Sequence, residues 1–150
     1  MEVRLGSLVR GAQEAQGTAI IIDVFRAFTT AAIAFDHGVK EITLVAEPEE
    51  ALELHRKGVG DFLMGEVAGK RPEGFDFGNS PYEISQVDLA GKTLVQSTRA
   101  GTVGVAAAVN ASEIYLGSFV VAQATAEAVK KDGPEFLLEW RLKAYRHWLK

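Results

Sequence analysis

Hydrophobic and polar positions along the chain follow two alternating patterns. Five short, mostly apolar runs are each typical of a strand that is buried on both faces, as in a parallel sheet. These runs span 18–25, 41–46, 61–66, 92–97 and 113–118. Segments of helical character follow them at 26–38, 47–58, 80–87, 99–111 and 119–133. The alternation predicts a three-layer α/β/α fold with a mainly parallel sheet of about five strands.

The final segment, 134–150, departs from this alternation, because a strand is due there. Its sequence, PEFLLEWRLKAYRHWLK, places apolar and aromatic residues on one broad helical face, which predicts an amphipathic C-terminal helix. The chain is therefore predicted to be a single α/β domain, 1–150, with a divergent helix at 134–150. That helix could dock on the chain's own sheet or on a partner subunit, and we expect a homodimer.

The composition restricts the classes of partner and cofactor. The 150 residues carry 16 Lys and Arg against 20 Asp and Glu, a net charge of −4, so no nucleic-acid surface is expected. No run approaches the ~18 apolar residues of a membrane span, and the first residues lack a signal-peptide core, so we expect no membrane contact and a cytoplasmic location. Without cysteine there are no disulfides or thiolate metal sites, and the three histidines, at 37, 55 and 147, lack ligand spacing, which favours a hard ion such as Mg²⁺ for any metal site.

Polar residues concentrate where the predicted strands end. In open parallel sheets, ligands bind beyond the carboxyl ends of the strands. Here those ends and the loops that follow carry carboxylates, hydroxyls, an amide and two arginines. They are Asp23, Arg26, Glu47, Glu66, Asp76, Asn79, Ser80, Ser97, Thr98, Arg99 and Ser118. The strand starts carry only an ordinary solvated mixture, with Lys40, Glu41, Asp61 and Lys92.

The loop GFDFGNSP, residues 74–81, combines backbone-permissive, hydrogen-bonding and aromatic residues. We expect Phe75 and Phe77 to anchor the loop in the core, so that Asp76 between them points the other way. Ser80 and Glu83, on either side of Pro81, have the spacing of a capping box at the start of a short helix. The loop can thus begin a helix and present polar groups at the ligand-binding edge.

Each of these residues also has an ordinary structural explanation. Asp23 could cap the helix that follows it, and Arg26 could pair with a surface acid. Glu66 could be a solvated strand end, and Asp76 could order its own turn. The others could form turns and helix caps, and they are Asn79, Ser80, Ser97, Thr98 and Thr102. Their convergence on one edge favours a ligand site.

The residue types at this edge suit phosphoryl chemistry. Carboxylates on adjacent loops match the preference of Mg²⁺ for oxygen ligands. The helix start STRAGT, 97–102, offers backbone N–H groups to an anion, and arginine can grip phosphate or sulfonate with two hydrogen bonds. A metal ion beside an anion cradle indicates an enzyme that acts on a phosphate group.

Four stretches of the chain form a specific set. They are IIDVFRAFTT (21–30), MGEVAGKRPEGFDFGNSP (64–81), STRAGT (97–102) and LGSFVVAQATAEAV (116–129), and they cover most of 18–129. In this order they resemble the 2-phosphosulfolactate phosphatase family, the ComB-like proteins of coenzyme M biosynthesis. The resemblance implies an α/β fold and a Mg²⁺-dependent phosphatase acting on a small phosphorylated, sulfonated hydroxy acid. Family members usually continue further, so we expect the chain to be C-terminally shortened.

The resemblance also implies roles for individual residues. The residues that would surround Mg²⁺ are Asp23, Glu66 and Asp76, and with Arg26 they form the predicted catalytic set. The predicted substrate-binding residues are Arg26, Asn79, Ser80, Ser97, Thr98 and Thr102. The chain has Phe25–Arg26–Ala27–Phe28 where the family usually has Leu-Arg-Ala-Thr, and it lacks the usual Asn before Gly101. Two hypotheses follow, an active phosphatase or a catalytically degenerate relative that binds a small anion or another subunit.

Overall fold

The computed structural model describes residues 2–132 and 135–140, with the side chains of residues 3–131. The strands are β1 (Glu2–Ser7), β2 (Gly17–Ile22), β3 (Glu41–Val45), β4 (Phe62–Glu66), β5 (Thr93–Thr98), β6 (Ala111–Gly117) and β7 (Glu135–Trp140). The helices are α1 (Leu8–Glu14), α2 (Ala27–Asp36), α3 (Pro48–Arg56), α4 (Pro81–Ile84), α5 (Gly101–Ala107) and α6 (Ala122–Asp132), with a 3₁₀ turn, Phe119–Val121, before α6. None of the described helices is long and apolar enough to cross a membrane.

The strands form two sheets in which paired strands run parallel. The larger sheet has the order β1-β7-β2-β6, and the smaller has the order β3-β5-β4. Parallel neighbours need crossover connections, which the helices provide. The predicted α/β class with mainly parallel pairing is confirmed, although the described residues form seven strands in two sheets where one sheet of about five was expected.

Strand β2 shows why an unbroken apolar run predicts a buried parallel strand. It lies between β7 and β6, and its central residues Ala19, Ile20 and Ile21 are buried. A strand with sheet neighbours on both sides and packed elements on both faces has no solvent-facing row, so apolar residues need not alternate with polar ones. The end of β2 at Ile22 then brings the next residue, Asp23, to the edge of the sheet.

Residues 135–140 form a strand where the sequence pattern predicts a helix. They make up β7, which pairs with β1 on one side and with β2 on the other. A short apolar run is compatible with either conformation, and the strand is favoured because β7 satisfies backbone groups of both neighbours. Residues 141–150 of the predicted helix lie outside the described residues, and the homodimer predicted from this tail stays a prediction.

Two hydrophobic clusters hold the helices against the sheets. The larger cluster joins both sheets through α2, since Ile21 of β2, Phe28 of α2 and Met64 of β4 all belong to it. The smaller cluster lies between α3 and the small sheet, and it includes Phe75 and Leu63. The two sheets therefore share a core around α2.

Candidate active site

The carboxyl ends of β2 and β6 meet at Asp23. The backbone N–H of Asp23 donates to the carbonyl of Gly117 at 3.0 Å, which extends the parallel ladder one step past the ends of both strands. Asp23 is only 6% exposed, and the residue after Gly117, Ser118, is 3% exposed. A carboxylate and a hydroxyl are thus both buried at neighbouring strand ends.

The carboxyl end of β5 reaches the same place through Gly101. A Cβ atom at Gly101 would lie 2.3 Å from Ala27 Cβ and 3.0 Å from both Asp23 Oδ2 and Thr98 Oγ1. Only glycine fits so close an approach, and the approach puts the Asp23 carboxylate and the Thr98 hydroxyl around one point. The side chain of Gln96 strengthens this junction, because its Nε2 donates to the carbonyl of Ala27 at 3.1 Å.

Arg26 lies at the start of α2 and is exposed. Its guanidinium makes no hydrogen bond or ion pair with the described part of the chain, so the predicted alternative of a surface ion pair finds no partner there. Arg26 is also the N-cap residue, and no side-chain hydrogen bond caps α2 from that position. The first turn of the ten-residue helix α2 lies near Asp23 through Ala27, and Arg26, three residues after Asp23, carries a cationic side chain without a partner among the described residues.

Thr98 and Thr102 bond to one another across the turn into α5. Thr98 N donates to Thr102 Oγ1 at 2.9 Å, Thr102 N donates to Thr98 Oγ1 at 3.1 Å, and Thr102 Oγ1 donates to Thr98 O at 2.9 Å. The Thr102 hydroxyl is thereby committed to the turn. The Thr98 hydroxyl only accepts within the described residues, so its proton remains available to a ligand. Ser97 has a structural contact, since its hydroxyl donates to Ala46 O at 3.3 Å.

Glu66 joins two loops at the end of β4. Its Oε2 accepts from Gly69 N at 2.6 Å, and its Oε1 accepts from Arg99 N at 3.1 Å. Each carboxylate oxygen is therefore already a hydrogen-bond acceptor for backbone. Glu66 lies at the predicted edge, and its carboxylate links the loop after β4 to the turn after β5 through these two hydrogen bonds.

The loop 74–81 is anchored as its two phenylalanines predict. Phe75 is buried in the smaller cluster, and the ring of Phe77 packs edge-on against Phe62 at a centroid distance of 5.5 Å. Asp76, between the two rings in the sequence, is exposed, and its Oδ2 accepts from Leu63 N at 2.7 Å. The carboxylate of Asp76 is thus bonded to the side of β4, before the strand reaches Glu66.

After Asp76 the chain runs parallel to β4 and back towards the ligand-binding edge, as the bridge between Met64 and Phe77 shows. Ser80 is the N-cap of α4, and its Oγ accepts from Glu83 N at 3.3 Å. The predicted capping box is only half formed, because Glu83 Oε2 accepts from Gly78 N and not from Ser80 N. Asn79 is 7% exposed, and its Oδ1 has no hydrogen-bond partner among the described residues.

The predicted site residues therefore divide into two groups. Asp23 and Thr98 come together near the start of α2, where Arg26 is the N-cap residue. The three carboxylates predicted to surround Mg²⁺ do not form one group, and no set of three or more histidine, aspartate or glutamate side chains that could hold a metal ion occurs among the described residues. The reason is local, since the Asp76 carboxylate bonds along β4 and both Glu66 oxygens accept from backbone.

Two further residues of this region were not predicted as site residues. Gln96 of β5 is fully buried, and its side chain donates a hydrogen bond to the first turn of α2. The available signal was a polar residue inside the apolar run TLVQST, because a buried amide needs a hydrogen-bond partner. Ser118 was noted only as a strand end. Its position directly after the last residue of β6, matching that of Asp23 after β2, was the available signal.

An α/β protein with parallel strands and buried polar groups at their carboxyl ends is a class that commonly binds small molecules there. A sequence model of the 2-phosphosulpholactate phosphatase family matches residues 7–139, and the chain belongs to that family. This match extends beyond the 18–129 span from which the resemblance was recognised, and it includes α1 and most of β7.

Individual relatives agree with the family match. A protein of Bacillus subtilis named "Probable 2-phosphosulfolactate phosphatase" is 40% identical over 112 residues, which is 75% of this chain and 49% of that protein. A Caldicellulosiruptor saccharolyticus protein of the same name is 40% identical over 114 residues, 76% of this chain and 47% of its own length. One from Thermoplasma acidophilum is 31% identical over 119 residues, 79% and 54% respectively. The chain spans about half the length of the curated relatives it matches.

Proposed function

We propose that this chain takes part in the hydrolysis of the phosphate ester of a small anionic hydroxy acid, of the 2-phosphosulfolactate type, to give sulfolactate and phosphate. One observation carries the proposal. The buried Asp23 and the exposed Arg26, whose guanidinium has no partner among the described residues, follow the same strand end, and Arg26 stands at the start of α2, which no side-chain hydrogen bond from Arg26 caps. Family membership and the names of the relatives support the same substrate class.

Arg26 and the start of α2 would bind the anionic groups of the substrate. A guanidinium can donate two parallel hydrogen bonds to a phosphate or a sulfonate, and the first-turn N–H groups of a helix are donors that an anion satisfies. Since Arg26 has no partner among the described residues, binding does not require an existing ion pair to break. The hydroxyl of Thr98, whose proton is available, would add one more donor at the same point.

Asp23 would supply the negative side chain that phosphoryl transfer needs beside these donors. Mg²⁺ in proteins often takes only one or two carboxylates and completes its shell with water and substrate phosphate. The donor set around Gly101 fits such an ion held by Asp23, and it does not fit a cage of three carboxylates. Bound there, Mg²⁺ would neutralise charge on the phosphoryl group. Asp23 itself would orient the site through its fixed backbone bond to Gly117.

A second function, anion binding without catalysis, is favoured by one observation. Glu66 and Asp76, two of the three carboxylates expected at a metal site, are occupied by backbone N–H groups. A chain with Arg26 and the α2 start but without a working metal site would bind phosphate or sulfonate and leave the ester intact.

The experiment is a phosphate-release assay on a panel of esters with Mg²⁺ and with a chelator. The panel contains 2-phosphosulfolactate, 2-phospholactate and 3-phosphoglycerate, so that the acidic group and the position of the ester vary separately. We expect release of phosphate from 2-phosphosulfolactate above the other esters, and loss of the activity on chelation. Absence of turnover with a thermal shift on adding phosphate would establish the binding function, and absence of both would contradict each proposal.

A further inference from the structure

Three buried side-chain atoms of the described residues have no hydrogen-bond partner, namely Asn79 Oδ1, Gln96 Oε1 and Ser118 Oγ. Two of them are amide oxygens, which can only accept a hydrogen bond. Ser118 Oγ carries a proton and can donate. An anionic ligand offers acceptors and needs donors, so among these three atoms only the Ser118 hydroxyl matches an anion directly.

The sheet register places Ser118 beside Asp23. The last registered pair of the two strands is Ile22 with Gly117, and the bond from Asp23 N to Gly117 O continues the ladder beyond it. Successive residues of a strand point to opposite faces, and paired residues of neighbouring strands share a face. Asp23 and Ser118 therefore follow the pair of Ile22 and Gly117 on the opposite face, as neighbours across the two strands.

The segment that follows Ser118 lies next to α2. The 3₁₀ turn Phe119–Val121 packs against α2, whose first residues follow Arg26. Ser118 is 3% exposed, so water is largely excluded from its hydroxyl. A buried hydroxyl without a partner destabilises the unliganded fold, and a ligand that accepts its hydrogen bond removes this penalty on binding.

We propose that Ser118 is a substrate-binding residue, whose Oγ–H donates to an oxyanion oxygen of the small phosphorylated acid held between Arg26 and the start of α2. The inference rests on the proposed function for the identity of the ligand. The chemistry of an oxyanion is shared by the phosphoryl group and by the acid group of the substrate. Binding of inorganic phosphate and of sulfolactate, each measured alone, distinguishes the two.

The test compares Ser118→Ala with the wild-type chain by equilibrium titration and by thermal unfolding. A hydrogen bond to a charged group supports a loss in affinity of about ten- to a hundredfold for whichever of the two anions Ser118 contacts. The melting temperature without ligand should stay the same or rise, because the variant removes an unsatisfied buried group. Ser118→Cys keeps nearly the same volume with a weak donor, and it should lose affinity in the same way.

Thr125→Val is the matched control. The Thr125 hydroxyl is partly buried near the same strand end, but it donates to Leu116 O at 3.0 Å. Its loss should lower the melting temperature by roughly 2–4 °C and leave the affinity for both anions unchanged.

The inference is overturned if Ser118→Ala melts lower by as much as the control and binds both anions as the wild-type chain does. It is also overturned if the wild-type chain binds neither anion. If the chain hydrolyses no ester but binds phosphate or sulfolactate through Ser118, the proposed hydrolysis fails and this inference stands.

Discussion

At the edge where the strands begin, Asp61 and Thr93 satisfy one another. Asp61 Oδ2 accepts from Thr93 N at 2.8 Å and from Thr93 Oγ1 at 3.0 Å, and Asp61 N donates to Thr93 O at 2.7 Å. These bonds lower the pKa of the Asp61 carboxyl, the backbone bond from Thr93 having the largest effect. The polar groups here form hydrogen bonds with each other, and these bonds link the start of β4 to the start of β5.

At the edge where the strands end, some polar groups lack such partners among the described residues. Ser118 Oγ and Asn79 Oδ1 are unpaired among the described residues, and the Arg26 guanidinium is exposed and unpaired there. A buried polar atom without a hydrogen-bond partner lowers the stability of the folded state by about 1–3 kcal/mol. The difference between the two edges indicates that one is built for stability and the other to meet a ligand.

The largest effect is expected from a change of the Asp23 carboxylate. If Asp23 has the proposed role, Asp23→Asn should lower kcat on 2-phosphosulfolactate by about 100-fold or more, because its carboxylate charge would then contribute several kcal/mol of transition-state stabilisation. The melting temperature should change little, because the amide has nearly the same shape and the backbone bond to Gly117 is kept. Steady-state phosphate release and thermal unfolding of the same preparation measure both quantities.

Asp36→Asn is the control for the loss of one negative charge. Asp36 is the last residue of α2, at the end of the helix away from Asp23. It is exposed, and its side chain makes no hydrogen bond among the described residues. It should keep full turnover. Equal activity of the Asp23 variant and the wild-type chain would remove Asp23 from the site and take the main support from the proposed hydrolysis.

A smaller effect is expected at Asp76, which was predicted as a metal ligand and is bonded to Leu63 N. Asp76→Ala leaves the N–H of an outer strand without its carboxylate acceptor and should destabilise the chain by about 1–2 kcal/mol in urea unfolding. Asp76→Asn retains an acceptor oxygen and should recover most of that loss. If the Asp76 carboxylate only stabilises the loop, the Mg²⁺ concentration for half-maximal activity should be the same in both variants as in the wild-type chain.

The opposite result would also be informative. A large shift of the Mg²⁺ requirement in Asp76→Asn, with unchanged stability, would show that the carboxylate reaches a metal ion in the active protein. The division of the carboxylates into loop and site residues would then be incorrect.

The sequence predicted the parallel α/β class because apolar runs such as TAIIID alternate with segments of helical character along the chain. It did not predict β1 or β7, and both strands were missed for the same reason, because they pair with each other. Among the described residues β1 pairs with β7 alone, and β7 comes from a segment whose apolar residues also fit a helical face. Pairing between residues far apart in the chain decides such cases, and local periodicity does not contain it.

The sequence predicted that the site lies at the carboxyl ends of the strands, but it did not predict the contacts of the side chains there. Asp23 and Glu66 both end strands at the predicted edge, but no spacing in the sequence indicates that backbone N–H groups occupy both Glu66 oxygens. The same limit applies to Ser118, whose significance depends on a missing hydrogen-bond partner. Strand ends can be read from the pattern of residues, whereas hydrogen-bond satisfaction depends on how loops meet.

The smallest expected effect concerns the edge built for stability. Because the pKa of Asp61 is lowered on folding, its charged form stabilises the folded chain at pH values above about 4, the range of an unfolded aspartate. This contribution is lost as the pH falls through the lower pKa of the folded state. Asp61→Asn should therefore unfold at slightly lower urea than wild type at pH 7, and the difference should shrink as the pH is lowered towards 3.

Asp36→Asn serves as the control here too, since it removes an aspartate charge without a hydrogen bond among the described residues. A difference between Asp61→Asn and wild type that stays constant from pH 7 to pH 3 would mean that the Asp61 charge contributes nothing beyond its shape. Phosphate release should be unaffected by Asp61→Asn, because the side chain lies at the edge away from Asp23. If turnover fell together with stability, the two edges would be coupled and the separation of stability from binding would not hold.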